Sequence, residues 1–370
     1  MKKVISLAIL LLATPWIFAQ QADDYRKAAN QGDVEAQSNL GRCYYFGDGV
    51  TQDYKQAVVW LTKAANQGNA DAQYLLGGCY YWGRGVRQDY KQAVSWYTKA
   101  ANQGDADAQL QLGWCYKKGD GVRQDYEQAV AWVTKAANQG DADAQCFLGG
   151  CYYNGTGVKQ DYKQAVSWYN KSANQELADA QYMLGLCYYF GDGVKQDSKQ
   201  AVSWFTKAAN QGNANAQYSL GRCYQAGDGV KQDSKQAVTW FVKAADQGHA
   251  DAQGNLGFCY NNGVGVKQDY KQAVYWWTKA ADQGNADAQC VLGMCYYIGR
   301  GVKQDYKQAV SWYTKAANQG NAEAQYGLGG CYYNGDGVKQ DYKQAVYWWT
   351  KAANQGHHEA LEWLKEMGER

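Results

Sequence analysis

The order of apolar and polar residues repeats every 36 positions along almost the whole chain. In the copy from Asn69 to Gly104, the apolar residues of the first half fall at helical spacing: Ala72, Leu76, Cys79 and Tyr80. Side chains three, four or seven positions apart share one face of an α-helix. The pattern therefore predicts an amphipathic helix in the first half of each copy, which we call helix A.

The second half of the same copy predicts another amphipathic helix, helix B. Its apolar residues form two adjacent stripes, the first made of Ala93, Trp96 and Ala100 and the second of Val94, Tyr97 and Ala101. The small alanine side chains allow the two helices to approach closely. Because aromatic side chains bury the largest areas, we expect Trp96 to supply the largest buried surface between the helices.

Residues with known preferences for helix ends mark where each helix begins and ends. Asn69 can cap helix A, and Asp89 with Gln92 three positions later resembles a capping box at the start of helix B. Gly83 is expected to end helix A in the left-handed conformation. Gly77 lies inside helix A, where glycine costs about 1 kcal/mol relative to alanine. We therefore expect the partner helix to pass close to Gly77.

Nine copies of this unit follow one another, which predicts an all-α protein, an α/α superhelical solenoid of nine 36-residue helix-turn-helix repeats. The copies occupy residues 33–356 and begin at Asp33, Asn69, Asp105, Asp141, Leu177, Asn213, His249, Asn285 and Asn321. Residues 20–32 retain only part of a helix B, and residues 357–370 begin a tenth helix A with a polar outer side. Terminal units of a solenoid need a solvated outer face. We interpret these segments as an N-terminal partial repeat and a C-terminal capping helix.

The repeated residues resemble the Sel1-like repeat family, a relative of the tetratricopeptide repeats. The resemblance is carried by Ala72-Gln73, Leu76-Gly77, Tyr80, Gly83-x-Gly85-Val86, Asp89, Ala93 and Trp96-Tyr97-x-Lys99-Ala100-Ala101. An ordinary tetratricopeptide array has a period of about 34 and a characteristic proline, whereas these repeats contain no proline. The resemblance implies a right-handed superhelical scaffold that recruits other proteins.

Residues 1–19 differ from the repeats. A basic start at Lys2 and Lys3 precedes the apolar run Val4–Ala13, and the segment ends at Ala19. This pattern is typical of a secretory signal peptide, cut between Ala19 and Gln20. A membrane anchor that stays attached is the alternative, but a transmembrane helix needs about 20 apolar residues. We therefore expect an exported chain, periplasmic or secreted, with no transmembrane anchor after signal cleavage.

The charge balance argues against a nucleic-acid partner. The whole chain has 37 basic and 35 acidic residues, and removal of Lys2 and Lys3 with the signal peptide leaves equal numbers of each sign. A neutral chain with interleaved charges lacks the basic patch that nucleic-acid-binding proteins present. No nucleic acid is therefore expected among the partners.

Eleven cysteines in an exported chain would suit a disulfide framework. Nine of them occupy one position, once per repeat: Cys43, Cys79, Cys115, Cys151, Cys187, Cys223, Cys259, Cys295 and Cys331. Equivalent residues of neighbouring repeats should lie a helix-packing distance of about 10 Å apart, whereas bridged Cα atoms lie within about 7 Å. A disulfide-rich branch of the Sel1-like family instead has two cysteines per repeat, which join helix A to helix B. We expect mostly buried, reduced thiols that act as small apolar side chains.

No arrangement of residues indicates catalysis, a metal or a cofactor. Some proteins of the cysteine-rich branch carry a β-lactamase label, but the S-x-x-K motif of serine β-lactamases does not occur in this chain. The three histidines, His249, His357 and His358, form no metal-ligand pattern. The loop position between the two glycines is arginine in two copies, which does not suit a calcium loop.

Comparison of the nine copies separates fixed positions from variable ones. Counted from the first residue of each repeat, positions 6, 7, 10, 13 and 14 of helix A vary, while most others are copied. These positions lie along one face of helix A, and stacked helix pairs usually bind ligands on their concave surface, which the A helices line. We predict that a protein or peptide ligand binds there through Arg42, Phe46, Trp82, Trp114, Lys118, Phe147, Leu186, Arg222, Phe258 and Met294.

The sequence leaves three hypotheses about function. The variable face favours an exported, non-catalytic protein-protein interaction scaffold without a cofactor. The resemblance to the cysteine-rich branch gives a β-lactamase-like enzyme as an alternative. In the third hypothesis the chain is a purely structural spacer whose copy number sets its length and elasticity. Drift at tolerant surface positions is the alternative explanation of the variable face itself.

Overall fold

The computed structural model describes residues 19–368, and all the regular secondary structure in this range is helical. Apart from Ala19, the predicted signal peptide lies outside the described residues. Residues 19–30 form α1. The all-α prediction with a repeating pair of helices every 36 residues is confirmed.

The chain contacts define two compact units. One comprises the residues up to Ala180 together with Asp192–Val194, and the other comprises Gln181–Gly191 and the residues from Lys195 onward. After α1, the first unit contains α2 (Val34–Phe46), α3 (Tyr54–Asn66), α4 (Ala70–Trp82), α5 (Tyr90–Asn102), α6 (Ala106–Lys118), α7 (Tyr126–Asn138), α8 (Ala142–Asn154) and α9 (Tyr162–Ala173). The boundary falls within α10 (Ala178–Phe190).

The second unit continues with α11 (Ser198–Asn210), α12 (Ala214–Ala226), α13 (Ser234–Asp246), α14 (Ala250–Asn262), α15 (Tyr270–Asp282), α16 (Ala286–Ile298), α17 (Tyr306–Asn318), α18 (Ala322–Asn334), α19 (Tyr342–Ala353) and α20 (His358–Gly368). From α2 onward, even-numbered helices are A helices and odd-numbered helices are B helices. Within a unit, a B helix packs against the A helix of its own repeat and the A helix of the next: α5 contacts α4 and α6, and α13 contacts α12 and α14. Packing restricted to nearest neighbours is characteristic of a repeat array.

The core between the helices is built from the fixed apolar positions, but the large aromatic residue of helix B differs from the one expected. Tyr97 is 2% exposed, whereas Trp96 is only half-buried. The Lys99 ammonium group lies 3.8 Å from the centre of the Trp96 ring, a cation-π contact at the margin of the core. The prediction for Trp96 is therefore wrong. The buried face of helix B takes Ala93 and Ala100 from the first stripe and Tyr97 from the second, which leaves Trp96 at its edge.

Near the C-terminal end of helix A, the buried aromatic residue is likewise one position away from the residue that was predicted. Ala72, Leu76 and Cys79 are buried as predicted. Tyr80 is only half-buried, however, and Tyr81 takes the more enclosed place at 7% exposure. In this repeat the buried stripe of helix A therefore includes Tyr81 at position 13, one of the positions that the sequence assigned to the variable face.

The glycine inside helix A marks a close approach, as predicted. A Cβ atom added to Gly77 would lie 2.6 Å from Cδ1 of Tyr97, which is too short for any real contact. The aromatic ring of helix B therefore rests directly on the backbone of helix A. The same relation joins Gly149 to Tyr169 and Gly221 to Phe241.

The helix ends follow most of the predicted capping. The Asn69 side chain accepts a hydrogen bond from the Ala72 N–H at 2.8 Å, and Gly83 ends α4 with a φ of 67°. The Asp89 carboxylate accepts bonds from the N–H groups of Lys91 and Gln92. The reciprocal half of a capping box is not formed, since the Asp89 N–H donates to the Tyr80 carbonyl at 2.9 Å.

Paired glutamine side chains, one buried and one exposed, link successive helices. Gln73 is 4% exposed, and its amide donates to the Ala65 carbonyl of the preceding B helix at 3.0 Å. Its carbonyl oxygen accepts from the Gln103 amide at the end of the following B helix at 2.8 Å. Buried polar groups need such partners. The pairing explains why the repeat retains both glutamines, which the sequence alone presents only as parts of a motif.

The two terminal segments pack onto the array. In α1, Ala29 is buried against Ala36 and Leu40 of the first complete repeat. In α20, Ala360 is fully buried and Trp363 stacks on Trp349 with ring centres 5.4 Å apart. Among residues 19–368, no helix has the combined length and apolar character needed to cross a membrane.

Candidate partner-binding surface

The variable positions of helix A form a partly exposed surface in each unit. We call positions 6, 7, 10 and 14 of the repeats the A-face. Of the predicted contact residues, four apolar side chains are strongly exposed: Phe46 at 53%, Trp82 at 63%, Phe258 at 49% and Met294 at 41%. The cations Arg42, Lys118 and Arg222 are also exposed, while Trp114 and Leu186 are half-buried. Phe147 is buried at 8% exposure, so it does not itself present a contact surface.

Phe147 instead supports its neighbour on the A-face. Its ring meets Trp114 edge to face, with centres 4.5 Å apart. The Lys117 ammonium lies 4.9 Å from the Trp114 ring and 4.8 Å from the Phe147 ring, and Lys118 lies 5.7 Å from Trp114. These contacts between α6 and α8 hold an indole ring at the surface beneath two positive charges.

Two exposed apolar residues on the A-face were missed by the sequence reasoning. Phe190 is 60% exposed and Ile298 is 47% exposed. Both occupy position 14, the position of Phe46 and Trp82. Comparison of that single position across all copies would have found them.

At position 13, Tyr81 does not belong to this surface. Tyr81, at this position, is 7% exposed, and its hydroxyl group donates to the Asp120 carboxylate of the next repeat. Tyr81 therefore serves the contact between repeats. Its assignment to the partner-binding face is corrected on this ground, whereas position 13 is half-buried in the repeats from Lys117 onward.

The A-face is bordered by carboxylates at its N-terminal edge. Asp107 lies in the first turn of α6, where the helix dipole favours an acid. Partial burial, together with the nearby carboxylates of Asp141, Asp143 and Asp71, raises the pKa of Asp107. The pKa of Asp143 is raised by the same two effects, burial being the larger. A cation placed at this edge would relieve the repulsion among these groups.

In the second unit, two of the three histidines serve as helix caps. Nδ1 of His249 accepts from the Ala252 N–H at 3.3 Å, and the imidazole stacks on Tyr218 with centres 4.6 Å apart. His357 caps α20 in the same way and stacks on Tyr326 at 4.5 Å. Within the described residues, no three His, Cys, Asp or Glu side chains are grouped so that they could bind a metal ion.

The cysteines are enclosed in the core. Ten of the eleven are buried and Cys146 is half-buried, which confirms the predicted burial. Burial raises the pKa of Cys79 to about 12 and has the same effect on Cys115. A thiol with such a pKa is a poor nucleophile near neutral pH, because the reactive thiolate is scarce. The reduced state of these residues stays a prediction.

Comparison with known proteins agrees with this architecture. The model of the Sel1 repeat matches residues 25–33 and then nine consecutive segments of 36 residues, from 34–69 to 322–357. The chain belongs to the Sel1-repeat family. The family fold is a repeat scaffold typical of protein-protein interaction. No curated protein matches the chain.

Two solved structures illustrate the similarity. A protective antigen present in uropathogenic Escherichia coli strains, which displays the same repeat fold, shares 41% sequence identity with this Sel1-repeat chain at a TM-score of 0.79. The match covers 95% of this chain and 75% of the antigen. A Sel1 repeat protein from Oxalobacter formigenes is 37% identical, with a TM-score of 0.65 over 83% of this chain and 90% of that protein.

Proposed function

We propose that this Sel1-repeat protein is an exported, non-catalytic scaffold that binds a protein or peptide partner through its A-face. The observation that carries the proposal is the distribution of exposed apolar side chains on the A helices. Phe46, Trp82, Phe190, Phe258, Met294 and Ile298 are 41–63% exposed, and all lie at positions 10 and 14 of the repeat. Exposed aromatic and methionine side chains at variable positions are characteristic of binding surfaces.

Drift at a tolerant surface explains this distribution less well. Random replacement at exposed positions should favour polar residues, since apolar side chains gain nothing from facing water. The alternative of a structural spacer predicts no dependence of any interaction on the identity of these side chains. The binding proposal and the spacer alternative therefore predict different results when these side chains are replaced.

Export is supported by two independent features. The first 19 residues have the charge and hydropathy pattern of a signal peptide. The similar protein from uropathogenic Escherichia coli is a protective antigen. We propose that the mature chain starts at Gln20 and acts in the periplasm or outside the cell. N-terminal sequencing of the protein recovered from these fractions tests the cleavage site, and an intact Met1 would contradict it.

The partner-binding proposal is tested by crosslinking pull-down from the cell envelope and culture medium. The test variant combines Trp82→Ala, Phe258→Ala and Met294→Ala on the A-face. The matched control combines Tyr90→Ala, Tyr275→Ala and Tyr347→Ala, which remove B-helix side chains that are 37%, 48% and 48% exposed. We expect the test variant to lose a partner that the unaltered chain and the control both retain, with unchanged helicity in all three. Equal recovery of the same proteins by test and control would refute the A-face as the binding surface.

The non-catalytic part of the proposal has its own test. The purified mature chain is expected to hydrolyse nitrocefin no faster than buffer, since no serine lies in an S-x-x-K motif. Turnover that follows the protein through purification would favour the enzyme hypothesis instead.

A further inference from the structure

A cavity of about 440 Å³ opens on the A-face of the second unit, between α16, α18 and α20. Its walls include Met294 of α16, Tyr326 and Gly330 of α18, and Trp363 of α20. Cavities of this size are in the range of small-ligand sites, which combine apolar walls with a few polar groups. The cavity is larger than one side chain requires.

The cavity lies where α18 has two glycines on the A-face, Gly330 at position 10, which α4 and α8 also have as glycine, and Gly327 at position 7. At position 10, equivalent residues include Trp114 and Phe258, whereas α18 has Gly330. A Cβ atom added to Gly330 would have no heavy atom within 4 Å. A larger side chain at this position would therefore occupy the empty space without disturbing the backbone.

The floor and one wall are fixed by tryptophan residues. Trp349 is 1% exposed, and its indole N–H donates to the Tyr326 carbonyl at 3.0 Å. Trp363 of the capping helix stacks on Trp349, and Tyr333 packs against Trp363 with ring centres 5.3 Å apart. Rings held in this way form a preorganised aromatic enclosure, which reduces the entropy cost of binding.

One formal charge lies among the residues that line the cavity. It belongs to Glu323, in the first turn of α18; none of the lining residues is lysine or arginine. The Glu323 side chain is 72% exposed, and one of its oxygens is held 3.1 Å from Nε2 of His357. The pKa of Cys290, on the cavity wall, is raised to about 12 by burial and additionally by the carboxylates of Glu323 and Asp287. Glu323 lines the cavity itself, and Asp287 lines the depression beside it.

A neighbouring depression extends this acidic, aromatic surface. It is lined by Asp251, Asp287, Phe258 and Trp277, and it shares Val291 with the cavity. At its far side, Arg222 donates to the Tyr218 hydroxyl at 3.2 Å. Between that arginine and α20, the carboxylates of three successive A helices line one border of the A-face.

We propose that the cavity bounded by Met294, Glu323, Gly330 and Trp363 is the anchor site for an arginine side chain of the partner, together with an adjacent bulky apolar side chain. Arginine fits this chemistry, because its planar guanidinium stacks on aromatic rings and pairs with a carboxylate through two parallel hydrogen bonds. Its methylene groups can pack on Met294 while the apolar neighbour fills the remaining volume. This inference rests on the proposed function of the A-face and specifies the partner's chemistry.

The test is a titration of the full mature chain with a fluorescent peptide, acetyl-Gly-Arg-Trp-Gly-amide, followed by anisotropy at low ionic strength. The comparison peptides replace arginine by glutamine or by glutamate. We expect the arginine peptide to bind at least tenfold more tightly than the glutamine peptide and the glutamate peptide to bind least. Absence of measurable binding by the arginine peptide, or equal binding of the three peptides, would overturn the proposal.

Two variants connect the binding to the cavity. Glu323→Gln removes the charge and Gly330→Trp fills the space, and each is expected to weaken the arginine peptide at least tenfold. The matched controls are Asp71→Asn, which removes a carboxylate at the same repeat position in the first unit, and Ser95→Trp, which adds an exposed indole to the B helix α5, outside the A-face. Both controls should bind within twofold of the unaltered chain, and unchanged binding by Glu323→Gln and Gly330→Trp would refute the site.

Failure of the arginine site can be distinguished from failure of the proposed function. If the pull-down requires Trp82, Phe258 and Met294 but the peptide titration is insensitive to Glu323 and Gly330, partner binding by the A-face stands and the arginine site is wrong. If the peptide binds in the cavity but the pull-down is insensitive to the A-face, the arginine site stands and the proposed function is wrong.

Discussion

The hydroxyl group of Tyr81 donates a hydrogen bond of 2.7 Å to the carboxylate of Asp120, which lies 39 residues later in the glycine loop of the next repeat. The same bond joins Tyr153 to Asp192, Tyr189 to Asp228, and Tyr297 to Asp336. Between the first and second repeats the loop residue is Arg84 of the second, which donates to the Tyr45 hydroxyl of the first at 2.6 Å. Positions 13 and 16 of the repeat therefore form a polar link between neighbours.

Breaking one such link should weaken the array. Asp120→Ala leaves the enclosed Tyr81 hydroxyl without its acceptor, and we expect a loss of about 1–3 kcal/mol in the free energy of unfolding. Tyr81→Phe removes the donor and should cost about 1 kcal/mol. Urea unfolding followed by circular dichroism measures both. Tyr90→Phe, which alters an exposed tyrosine, serves as the control and should stay within about 0.5 kcal/mol; an equal loss in this control would contradict a specific role for the link.

The hydrogen bond between positions 13 and 16 can also be introduced by substitution where it is absent. The sixth and seventh repeats carry Gln225 and Val264 at the two positions. In a double-mutant cycle, Gln225→Tyr and Val264→Asp should show a favourable coupling of about 1 kcal/mol. The same cycle with Gln225→Phe removes the hydroxyl and should show none. Equal coupling in the two cycles would mean that ring packing, and not the hydrogen bond, joins the positions.

The link illustrates what could and could not be predicted from the sequence. The period, the helix pair, the caps at Asn69 and Gly83, and the close approach at Gly77 follow from local preferences, and each was predictable. The bond from Tyr81 to Asp120 depends on two positions in different repeats. Positions 13 and 16 both vary from repeat to repeat. Their relation becomes visible only when position 13 of one repeat is compared with position 16 of the next, 39 residues later.

The errors about helix orientation have a different cause. Helix B has apolar residues on two adjacent stripes, so the spacing fits burial of either Trp96 or Tyr97. The larger size of tryptophan favoured burial of Trp96. However, the glycine at position 9 of helix A leaves room for a ring only at the point where position 29 of helix B packs against it, and that residue is Tyr97. Contact between Gly77 and Tyr97 therefore decides the rotation of helix B, and Trp96 is left at the margin beneath Lys99.

The candidate binding surface was predictable in part. Exposure of Phe46, Trp82, Phe258 and Met294 agrees with the variable positions from which they were chosen. The cavity beside Gly330 could not be predicted, because it consists of missing side chains on α18 combined with rings from α19 and α20. An empty space is a property of several helices together, and no single repeat encodes it.

The junction after the fourth repeat carries a backbone strain that a substitution should relieve. Glu176 has a φ of 66°, in the left-handed region, where the equivalent residue of other repeats is glycine, for example Gly104 with a φ of 98°. A side chain in this region costs about 1–2 kcal/mol. We expect Glu176→Gly to raise stability by about 1 kcal/mol or more, measured as an increase in the urea midpoint.

The reciprocal change is the control for this strain. A Cβ atom at Gly104 would meet nothing within 4 Å, so Gly104→Glu tests the backbone conformation without a steric clash. It should lower stability by about 1–2 kcal/mol. If Glu176→Gly lowers stability, or Gly104→Glu leaves it unchanged, the left-handed conformation is not the source of the cost. Leu177→Asp, which restores a capping side chain at the start of α10, should add about 1 kcal/mol more.

The nine cysteines that occupy the same position in each repeat should act as buried packing residues and not as redox-active thiols. The pKa of Cys79 is raised to about 12 by burial, so the thiolate is scarce at pH 8 and the thiol is also shielded from reagents. We expect the native chain to react slowly with Ellman's reagent, and the chain denatured in guanidinium without reductant to titrate close to all eleven cysteines. A matched sample denatured with reductant and then freed of it gives the full count for comparison. If the unreduced sample titrates only one or three thiols, disulfides are present and the one-per-repeat spacing does not prevent them.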